Sequence, residues 1–409
     1  MNLILFTAAY PYETSGEKNF LEMELPYLLR SFDRVTLVPE RCEITRAEVL
    51  PGVEIEPGYA EYLLLHGRAD TFARGARSGL VRAEIARHIA LLFKPTFLKR
   101  LLFFAGQAEL TRAWLIEWLK QRKMEPSSCL VYTYWFDQGA VGAGLAKKAM
   151  PGLRSISRAH GYDVYEERQS PPYWPCRETA LRNVDLLFSA SEAGTRYLRE
   201  KYPDFAAKIK TARLGVPEPG KGTPASADGV YRIVSCSIIT PVKRLDLMLA
   251  GIKAAAQRRP SQRFEWVHIG SGASGALQAG MKALPQNLKV RLIDYRTRGH
   301  LFRFYGDNPV DVFVNVSASE GTPVAIMEAI SCGIPVIATA VGGNVEIVTE
   351  ENGLLISANP APDEIADALL SHWDAPGERR AGSRKVWSRQ YDSEKNYSEF
   401  VQRLVEIRA

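Results

Sequence analysis

Short β-rich apolar runs alternate with segments of helical period along this 409-residue chain, and this alternation constrains its fold more than any other feature. In the first half the strand-like runs are NLILFTA, RVTLVP, CLVYTYW, RSISRAH, VDLLFSAS and KIKTARL, separated by helical segments such as FLEMELPYLLRSF. The second half continues with YRIVSCS, RFEWVHI, LKVRLIDY, VDVFVNVS, PVIATA and GLLIS. Because strands separated by helices pair in parallel through right-handed crossovers, the sequence predicts an α/β protein with parallel sheets.

One stretch near the middle of the chain interrupts this alternation. Residues 215–229, GVPEPGKGTPASADG, are rich in Gly and Pro, which is typical of a linker. The chain is therefore predicted to form two Rossmann-like domains, residues 1–215 and 216–390, and a C-terminal helix over 391–409 that packs back on the first domain. Since ligands of such sheets bind at the carboxyl ends of the strands, we expect the two domains to face a cleft that holds the site.

Charge and cysteine content narrow the function classes. Lys and Arg number 52 against 46 Asp and Glu, an excess too small for a dedicated nucleic-acid-binding protein. The five cysteines are scattered without a CxxC pair, which is typical of a reduced, cytoplasmic protein. The first residues resemble a strand rather than a signal peptide, and no apolar run reaches the ~18 residues of a membrane-spanning helix.

The stretch VDVFVNVSASEGTPVAIMEAISCGIPVIATAVGG carries the clearest candidate site. A strand ends near Ser317, and a loop with Glu320 leads to a helix that begins near Pro323, since Pro is favoured in a first helical turn. The amides of Val324 and Ala325, together with the helix dipole, are expected to form a phosphate-sized anion site.

Two carboxylates lie on the same side of this helix start. Glu320 precedes the helix, and Glu328 is one to two turns inside it. A carboxylate beside a bound phosphate repels it unless the carboxylate binds hydroxyl groups, and a nucleotide sugar has hydroxyls on both sides of its diphosphate. The pair indicates a nucleotide-sugar site, and the alternative is an acidic helix start with a solvated glutamate.

Two further motifs supply candidate groups. In VSCSIITPVKRLDLMLAGI, Lys243 and Arg244 come at a helix start, where cations oppose the dipole unless an anion compensates. They either bind a diphosphate or form a solvated pair. In RSISRAHGYDVYEER, His160 and Gly161 follow a buried strand, at the end of a parallel sheet that presents ligand-binding residues. A single histidine at this position is equally compatible with a structural role.

A glycine-rich motif offers a competing interpretation. GSGASG, residues 270–275, follows the strand RFEWVHI, and Asp294 ends the next strand. This spacing matches a dinucleotide-binding fingerprint, so an NAD-dependent oxidoreductase is an alternative, although the motif follows the second strand of its domain. The chain has no Asp-x-Asp motif and therefore no evident magnesium-binding cluster. The sequence predicts that Lys243 and helix amides meet the phosphate charge, with no metal or other cofactor.

The segments SEGTPVAIMEA and GIPVIATAVGG, the PVKRLDL loop, the IGSG turn and the terminal helix together resemble glycosyltransferase family 4. Members of that family are retaining nucleotide-sugar enzymes of GT-B fold. The resemblance extends over essentially the whole chain. RAHGYDVYEER and NVSASEGTPVAIMEA are further similar to a bacterial branch that builds exopolysaccharide, capsule or O-antigen.

This resemblance implies roles for individual residues. Glu328 would hold the ribose hydroxyls, Glu320 would hold hydroxyls of the transferred sugar, and Lys243 would neutralise the departing diphosphate. His160 would lie near the anomeric carbon and the acceptor, so that His160, Lys243 and Glu320 are the implied catalytic residues. The residues implied for donor binding are Gly16, Ser237, Arg244, Gly270, Asp294, Tyr295, Gly321, Thr322, Val324, Ala325 and Glu328.

The resemblance implies the retaining, metal-independent transfer of a hexose from a UDP- or GDP-sugar to a sugar hydroxyl. The expected acceptor is a glycan, presented on a lipid, in bacterial surface polysaccharide synthesis. The family places an arginine beside the lysine on the diphosphate, whereas this sequence has Ile238 there, so Arg244 or another basic residue would substitute. A non-catalytic partner subunit of the same fold is therefore a second alternative.

The charge excess is concentrated in residues 66–123. This segment has twelve Lys and Arg against four Asp and Glu, and it contains the basic and aromatic run IALLFKPTFLKRLLFFAG. Such a pattern favours association with an anionic membrane surface, which predicts a cytoplasmic protein bound peripherally to the inner face of the membrane. The alternative is that the apolar faces are core and the cations are solvated.

Overall fold

The computed structural model describes residues 1–12, 17–42, 50–295 and 297–407. The chain forms two compact units, one of Met1–Arg213 with Tyr397–Ala409 and the other of Leu214–Asn396. The second unit thus begins close to the start of the linker at 215–229, and its end at Asn396 falls inside the C-terminal helix.

The first unit contains a seven-stranded parallel sheet with the strand order β3-β2-β1-β4-β5-β6-β7. Its strands are β1 (Asn2–Thr7), β2 (Arg34–Pro39), β3 (Val53–Ile55), β4 (Cys129–Thr133), β5 (Arg154–Ala159), β6 (Leu186–Ser189) and β7 (Ile209–Thr211). Its helices are α1 (Lys18–Ser31), α2 (Gly58–Arg77), α3 (Gly79–Arg87), α4 (Pro95–Gln121), α5 (Gln138–Ala146), α6 (Gly161–Val164), α7 (Arg177–Asn183) and α8 (Glu192–Lys201).

The second unit contains a six-stranded parallel sheet with the order β10-β9-β8-β11-β12-β13. Its strands are β8 (Val230–Cys236), β9 (Arg263–Ile269), β10 (Leu288–Ile293), β11 (Val312–Asn315), β12 (Val336–Thr339) and β13 (Gly353–Ile356). Its helices are α9 (Leu245–Arg258), α10 (Gly275–Met281), α11 (Arg298–Asp307), α12 (Val324–Ser331), α13 (Asn344–Ile347), α14 (Pro362–Asp374) and α15 (Arg379–Gln390). The last helix, α16 (Ser393–Glu406), begins in this unit and belongs from Tyr397 onward to the first.

The two parallel-sheet α/β domains predicted from the alternation are confirmed. Every strand-like run named above forms a strand. The inner strands are short apolar segments buried in a parallel sheet, whereas the edge strands β7, β10 and β13 remain partly exposed. The short edge strand β3 was not predicted, since its three residues, VEI, are only half-buried and show no periodicity.

Helix α16 completes the core of the first unit. Phe400 and Leu404 are buried against the sheet, and the Phe400 ring lies 5.7 Å from Tyr132 and 5.1 Å from Phe188. Under this helix Arg158 of β5 forms a fully buried ion pair with Glu24 of α1. The same guanidinium donates to the carbonyl of residue 212 at 2.7 Å and lies 4.6 Å from the centre of the Phe400 ring.

Residues 66–123 form most of a helical layer whose apolar residues are mainly core. In α4 the side chains of Leu101, Phe104, Trp114 and Trp118 are buried, so this helix does not present an apolar face to solvent. The exposed apolar side chains lie instead in a 3-10 turn, Ile89–Phe93, where Phe93 is 83% exposed. Among the described helices, none is long and apolar enough to cross a bilayer.

Candidate functional site

The winding of the second sheet reverses at β8. The chain passes from β8 to β9 and β10 on one side and returns to β11 on the other side, so the loops after β8 and β11 diverge at the carboxyl edge of the sheet. Such a reversal is the usual ligand site of a doubly wound sheet. The amide of Ala318 donates to the carbonyl of Val242 at 2.8 Å, which ties the two loops together.

Lys243 and Glu320, which the sequence analysis selected separately, meet at this position. The Lys243 Nζ lies 2.7 Å from Glu320 Oε1, and Asn315 at the end of β11 donates its Nδ2 to the same oxygen at 3.0 Å. Glu320 is 9% exposed, whereas a quarter of the Lys243 side chain remains accessible. The ammonium is therefore oriented by the carboxylate and still open to an anion.

Helix α12 begins directly after this pair. Pro323 is its cap, and the first amide to bond inside the helix is that of Ile326, which donates to the Pro323 carbonyl at 3.1 Å. The amides of Val324 and Ala325 precede that bond, as at any helix start, and both residues are half-buried. The backbone donors and the positive end of the helix dipole thus begin four residues after Glu320, the residue that binds the Lys243 ammonium.

Gly321 and Thr322 form the turn between Glu320 and the helix, and a glycine after β12 supports this turn. Gly342 has φ +49°, and a Cβ there would lie 1.9 Å from the Glu320 carbonyl oxygen. Only glycine allows this approach, so the VGG motif positions the Glu320 backbone rather than contacting a ligand itself.

Glu328 is buried and paired with a residue that the sequence analysis missed. Its Oε1 accepts from Arg298 Nε at 2.8 Å, and Arg298 is the first residue of α11. Burial raises the pKa of Glu328, and the Arg298 charge opposes that shift. Arg298 is a cation at a helix start, which is the same signal that selected Lys243.

Arg244 is committed to the protein backbone. Its Nε donates to the Val316 carbonyl at 2.6 Å, and Nη2 donates to the carbonyls of Ser317 and Ala358, each at 2.8 Å. Nη1 donates to Asn359 at 3.1 Å. In this arrangement Arg244 braces the loop after β11, and its role at the diphosphate in place of the family arginine stays a prediction. The side chain of Ile238 is 67% exposed.

The GSGASG motif follows β9 and not β8, the strand at the reversal. A Cβ at Gly270 would lie 1.8 Å from the Ser237 carbonyl oxygen, so this glycine is explained by the close approach of two loops. The Gly270 amide donates to the Ile293 carbonyl at 2.8 Å, directly before Asp294 and Tyr295. Asp294 is exposed and Tyr295 half-buried at this edge of the sheet.

His160 belongs to the first unit, where it follows β5. The ring is 7% exposed and packs on Tyr134 at 4.6 Å and Trp135 at 4.8 Å between centroids. Burial, with a smaller contribution from the Arg158 charge, holds the pKa of His160 well below its usual value, so the ring is neutral near pH 7. Both ring nitrogens lack a hydrogen-bond partner among the residues that the structure describes.

Asp163 positions His160 and was also missed. It is fully buried, and its carboxylate accepts from the His160 amide and from the Phe136 amide at 2.7 Å. Burial raises the pKa of Asp163 to about 6. The carboxylate thus joins the loops after β4 and β5.

Glu17 plays a similar part in the loop after β1. It accepts amides from Ala8 at 2.7 Å, Ala9 at 2.9 Å and Tyr10 at 3.0 Å, and it accepts the Trp135 indole. Gly16, predicted to contact the phosphates, lies outside the described residues. Within the described ranges, no group of three or more His, Cys, Asp or Glu is placed to hold a metal ion.

Comparison with known proteins agrees with the geometry at β8 and β11. The family described as "Glycosyl transferases group 1" matches residues 231–374, which include the Lys243–Glu320 pair, α12 and Glu328. This segment is a glycosyl transferases group 1 domain. The resemblance that the sequence analysis found at the SEGTPVAIMEA motif is therefore confirmed at the level of this domain.

Two curated relatives are named for polysaccharide synthesis. WcaL of Escherichia coli strain K12, named as a colanic acid biosynthesis glycosyltransferase, is 25% identical over 213 residues, 49% of this chain and 51% of that protein. The amylovoran biosynthesis glycosyltransferase AmsK of Erwinia amylovora is 29% identical over 177 residues, 41% of each chain. The chain spans about half the length of the curated relatives it matches.

A solved structure is similar over the full chain. HepE of Anabaena in complex with UDP superposes with a TM-score of 0.66, covering 99% of this chain and 100% of its own, at 14% identity. At this identity the likeness shows the fold, which is the GT-B fold predicted from the family resemblance.

Proposed function

We propose that this protein is a retaining glycosyltransferase of family 4 that transfers a hexose from a nucleoside-diphosphate sugar to a hydroxyl of a glycan. The observation that carries the proposal is the 2.7 Å pair of Lys243 and Glu320 beside the start of α12, inside the glycosyl transferases group 1 domain. An ammonium and free amides next to a carboxylate suit a diphosphate that is flanked by sugar hydroxyls.

In the proposed reaction, the bond between the anomeric carbon and the diphosphate oxygen breaks, and a bond from the acceptor oxygen to the same carbon forms. Lys243 and the α12 amides stabilise the negative charge that develops on the departing diphosphate. The acceptor proton passes to the departing phosphate oxygen. The cationic character of the sugar at the transition state is similar to that in glycoside hydrolysis. No step requires a metal ion.

Glu320 and Glu328 are proposed to bind hydroxyls of the transferred sugar and of the ribose, respectively. Arg298 holds the Glu328 carboxylate, so Glu328 requires this partner to remain charged while buried. Neutral His160 is proposed to lie near the acceptor, because its two buried ring nitrogens have no hydrogen-bond partner among the described residues.

We predict that one class of nucleotide sugar raises the unfolding temperature of the protein, since a ligand that binds only the folded state stabilises it. The measurement is thermal unfolding with UDP-, GDP-, ADP- and TDP-sugars and with NAD. At a ligand concentration about a hundred times its Kd, the stabilisation is about 2.7 kcal/mol. Stabilisation by NAD alone would contradict the proposal and favour the oxidoreductase. If the protein binds a nucleotide sugar but releases no nucleoside diphosphate with any acceptor tested, it is instead a non-catalytic partner subunit.

We further propose that the turn Ile89–Phe93 anchors the protein on an anionic membrane surface, where a lipid-linked acceptor is presented. Ile89, Leu92 and Phe93 are exposed in this turn. Beside it, α3 borders a cavity of about 530 Å³. The charged residues of that cavity are four cations and one acid, Arg87, Arg112, Lys148, Arg182 and Glu109. Apolar side chains next to cations suit the boundary between headgroups and acyl chains.

A Leu92→Ser, Phe93→Ser protein is expected to bind vesicles containing phosphatidylglycerol at least tenfold more weakly than the unaltered protein. Burial of one such side chain contributes about 1.5–3 kcal/mol. Flotation at low salt measures the effect, with phosphatidylcholine vesicles as the neutral comparison. The matched control is Leu65→Ser, because Leu65 is 85% exposed on a different helix. Equal flotation of the double variant and the unaltered protein would rule out the turn as the anchor.

A further inference from the structure

A second cavity of the first unit lies on the other side of α3. It has a volume of about 410 Å³ and is lined by four aromatic rings, those of Phe97, Tyr173, Trp174 and Tyr202. The Phe97 and Tyr173 rings are stacked at 5.6 Å, and the Trp174 ring lies under the guanidinium of Arg177 at 4.5 Å. None of these rings has a part in the donor site.

The charged groups of this cavity balance each other, unlike those of the cationic cavity beside it. Lys201 lies 2.8 Å from Glu166, and Glu84 accepts the Tyr173 hydroxyl at 2.8 Å and the Cys176 amide at 3.1 Å. The lining is therefore mainly aromatic and apolar, with paired charges that leave no net charge. Such a lining favours a ligand with many hydroxyls over an anionic headgroup.

A row of aromatic rings connects this cavity with His160. The Trp135 ring lies 4.8 Å from His160, Tyr162 lies 6.5 Å from Trp135, and Trp174 lies 5.7 Å from Tyr162. Tyr162, the middle ring, is 66% exposed. The apolar faces of pyranose rings pack on aromatic side chains, whose polar edges meanwhile bind hydroxyls.

The loop that carries this row is held in place from α4. Arg100 donates to the Pro171 carbonyl at 3.1 Å and to the Gln169 side chain at 2.8 Å, and Gln169 in turn donates to the Tyr162 carbonyl at 2.7 Å. The rings thus form a fixed surface and not a set of independent side chains.

We infer that this row and the 410 Å³ cavity bind a chain of several neutral sugars, so that the acceptor is an oligosaccharide and not a single sugar. This inference rests on the proposed function, because it extends the acceptor site from His160. The sugar that receives the new linkage lies at His160, the next sugars pack along Trp135 and Tyr162, and the distal sugars fill the cavity. The protein then distinguishes acceptors by the number of their sugars and not only by the terminal sugar.

The test is binding of the full chain to an array of bacterial surface glycans of increasing length, from monosaccharides to oligosaccharides. The unaltered protein is expected to bind oligosaccharides more tightly than the corresponding disaccharides. Phe97→Leu is expected to weaken oligosaccharide binding about tenfold and to leave disaccharide binding unchanged, because it alters only the cavity. Tyr162→Ala is expected to weaken the binding of oligosaccharides and disaccharides alike, because the second sugar packs on this ring. Tyr162→Phe is expected to retain binding, because it keeps the ring.

The matched control is Phe72→Leu, which changes a half-buried ring of the same unit, 5.3 Å from Phe103 and outside the cavity. Equal binding of Tyr162→Ala and the unaltered protein at every length, or no oligosaccharide binding by the unaltered protein, would overturn the inference. If Phe97→Leu lost binding to short-chain phosphatidylglycerol but kept its binding to glycans, the inference would also be overturned, because the cavity would then be a lipid site. If the glycan test fails but a nucleotide sugar still raises the unfolding temperature of the protein, only this inference is wrong. If no nucleotide sugar raises the unfolding temperature either, the proposed function itself is in question.

Discussion

A Lys243→Ala protein is expected to lose about 10²–10³ of its turnover, the usual effect of removing one preorganised group that stabilises developing negative charge. The ammonium lies 2.7 Å from Glu320 and remains accessible beside the α12 amides, so no other side chain of the described site occupies its place. The loss should fall on turnover more than on donor affinity, because the diphosphate gains charge as it departs. Release of nucleoside diphosphate with acceptor present measures it.

Two controls accompany this prediction. Lys289→Ala removes an exposed lysine of β10 in the same domain and should leave turnover unchanged. Thermal unfolding of Lys243→Ala should differ little from that of the unaltered protein, because the lysine is partly exposed and Asn315 still donates to Glu320. Near-normal turnover of Lys243→Ala would remove this residue from the proposed mechanism.

An Arg158→Met protein is expected to lose about 3–5 kcal/mol of unfolding free energy in its first domain, since it leaves a buried carboxylate without its partner. Both side chains of the Arg158–Glu24 pair are fully buried, and burial raises the pKa of Glu24 even with the arginine present. The expected drop in unfolding temperature is about 10 °C for a domain of this size. Calorimetry resolves it as a shift of one transition.

The matched control for this prediction is an exposed pair. Arg291 and Glu265 lie 3.4 Å apart, and Arg291 is largely exposed, so Arg291→Met should change stability by about 0–1 kcal/mol. Adding Glu24→Leu to Arg158→Met should recover part of the loss, because it removes the unpaired charge. If the double variant loses as much unfolding free energy as Arg158→Met and Glu24→Leu lose together, the two residues do not stabilise each other.

The position of Arg158 links this stability to function. Arg158 lies two residues before His160 on β5, and its charge contributes to the low pKa of that histidine. We therefore expect Arg158→Met to disturb the acceptor side of the reaction through the placement of β5. We expect Arg158→Met to have little direct effect on donor binding, because Arg158 belongs to the first domain.

Much of the proposed donor site could be located from the sequence because its residues come from contiguous motifs. Lys243 follows one strand and Glu320 another, and each lies at a helix start where a charge has a local physical meaning. The residues that hold them could not be predicted in the same way. Arg298 meets a carboxylate thirty residues away in the sequence, and Asn315, although only five residues before Glu320, shows no local pattern that identifies Glu320 as its partner.

Arg244 shows a different limit of sequence reasoning. Its sequence position suggested a diphosphate ligand, but its guanidinium donates to the backbone of the loop after β11. Local sequence shows that a cation is present at a helix start. Local sequence does not show whether backbone carbonyls of other loops already accept hydrogen bonds from that cation.

In the basic segment 66–123, too, the composition shows which residues are present, and the fold decides which of them are exposed. Its composition distinguished a cationic region, but α4 buries three of its aromatic residues, Phe104, Trp114 and Trp118. Exposure is concentrated in Ile89–Phe93, a turn too short for periodicity to reveal.

The sequence by itself determined the two parallel-sheet domains and the location of the motifs proposed to bind a nucleotide sugar, because apolar period and helix-start chemistry are local properties of the chain. The tertiary structure decided which charges are paired, which rings line the row from His160 to the cavity, and where the apolar surface is exposed. Those properties depend on contacts between residues far apart in sequence. Packing, and not spacing, therefore determines which of the candidate groups remain available to a ligand.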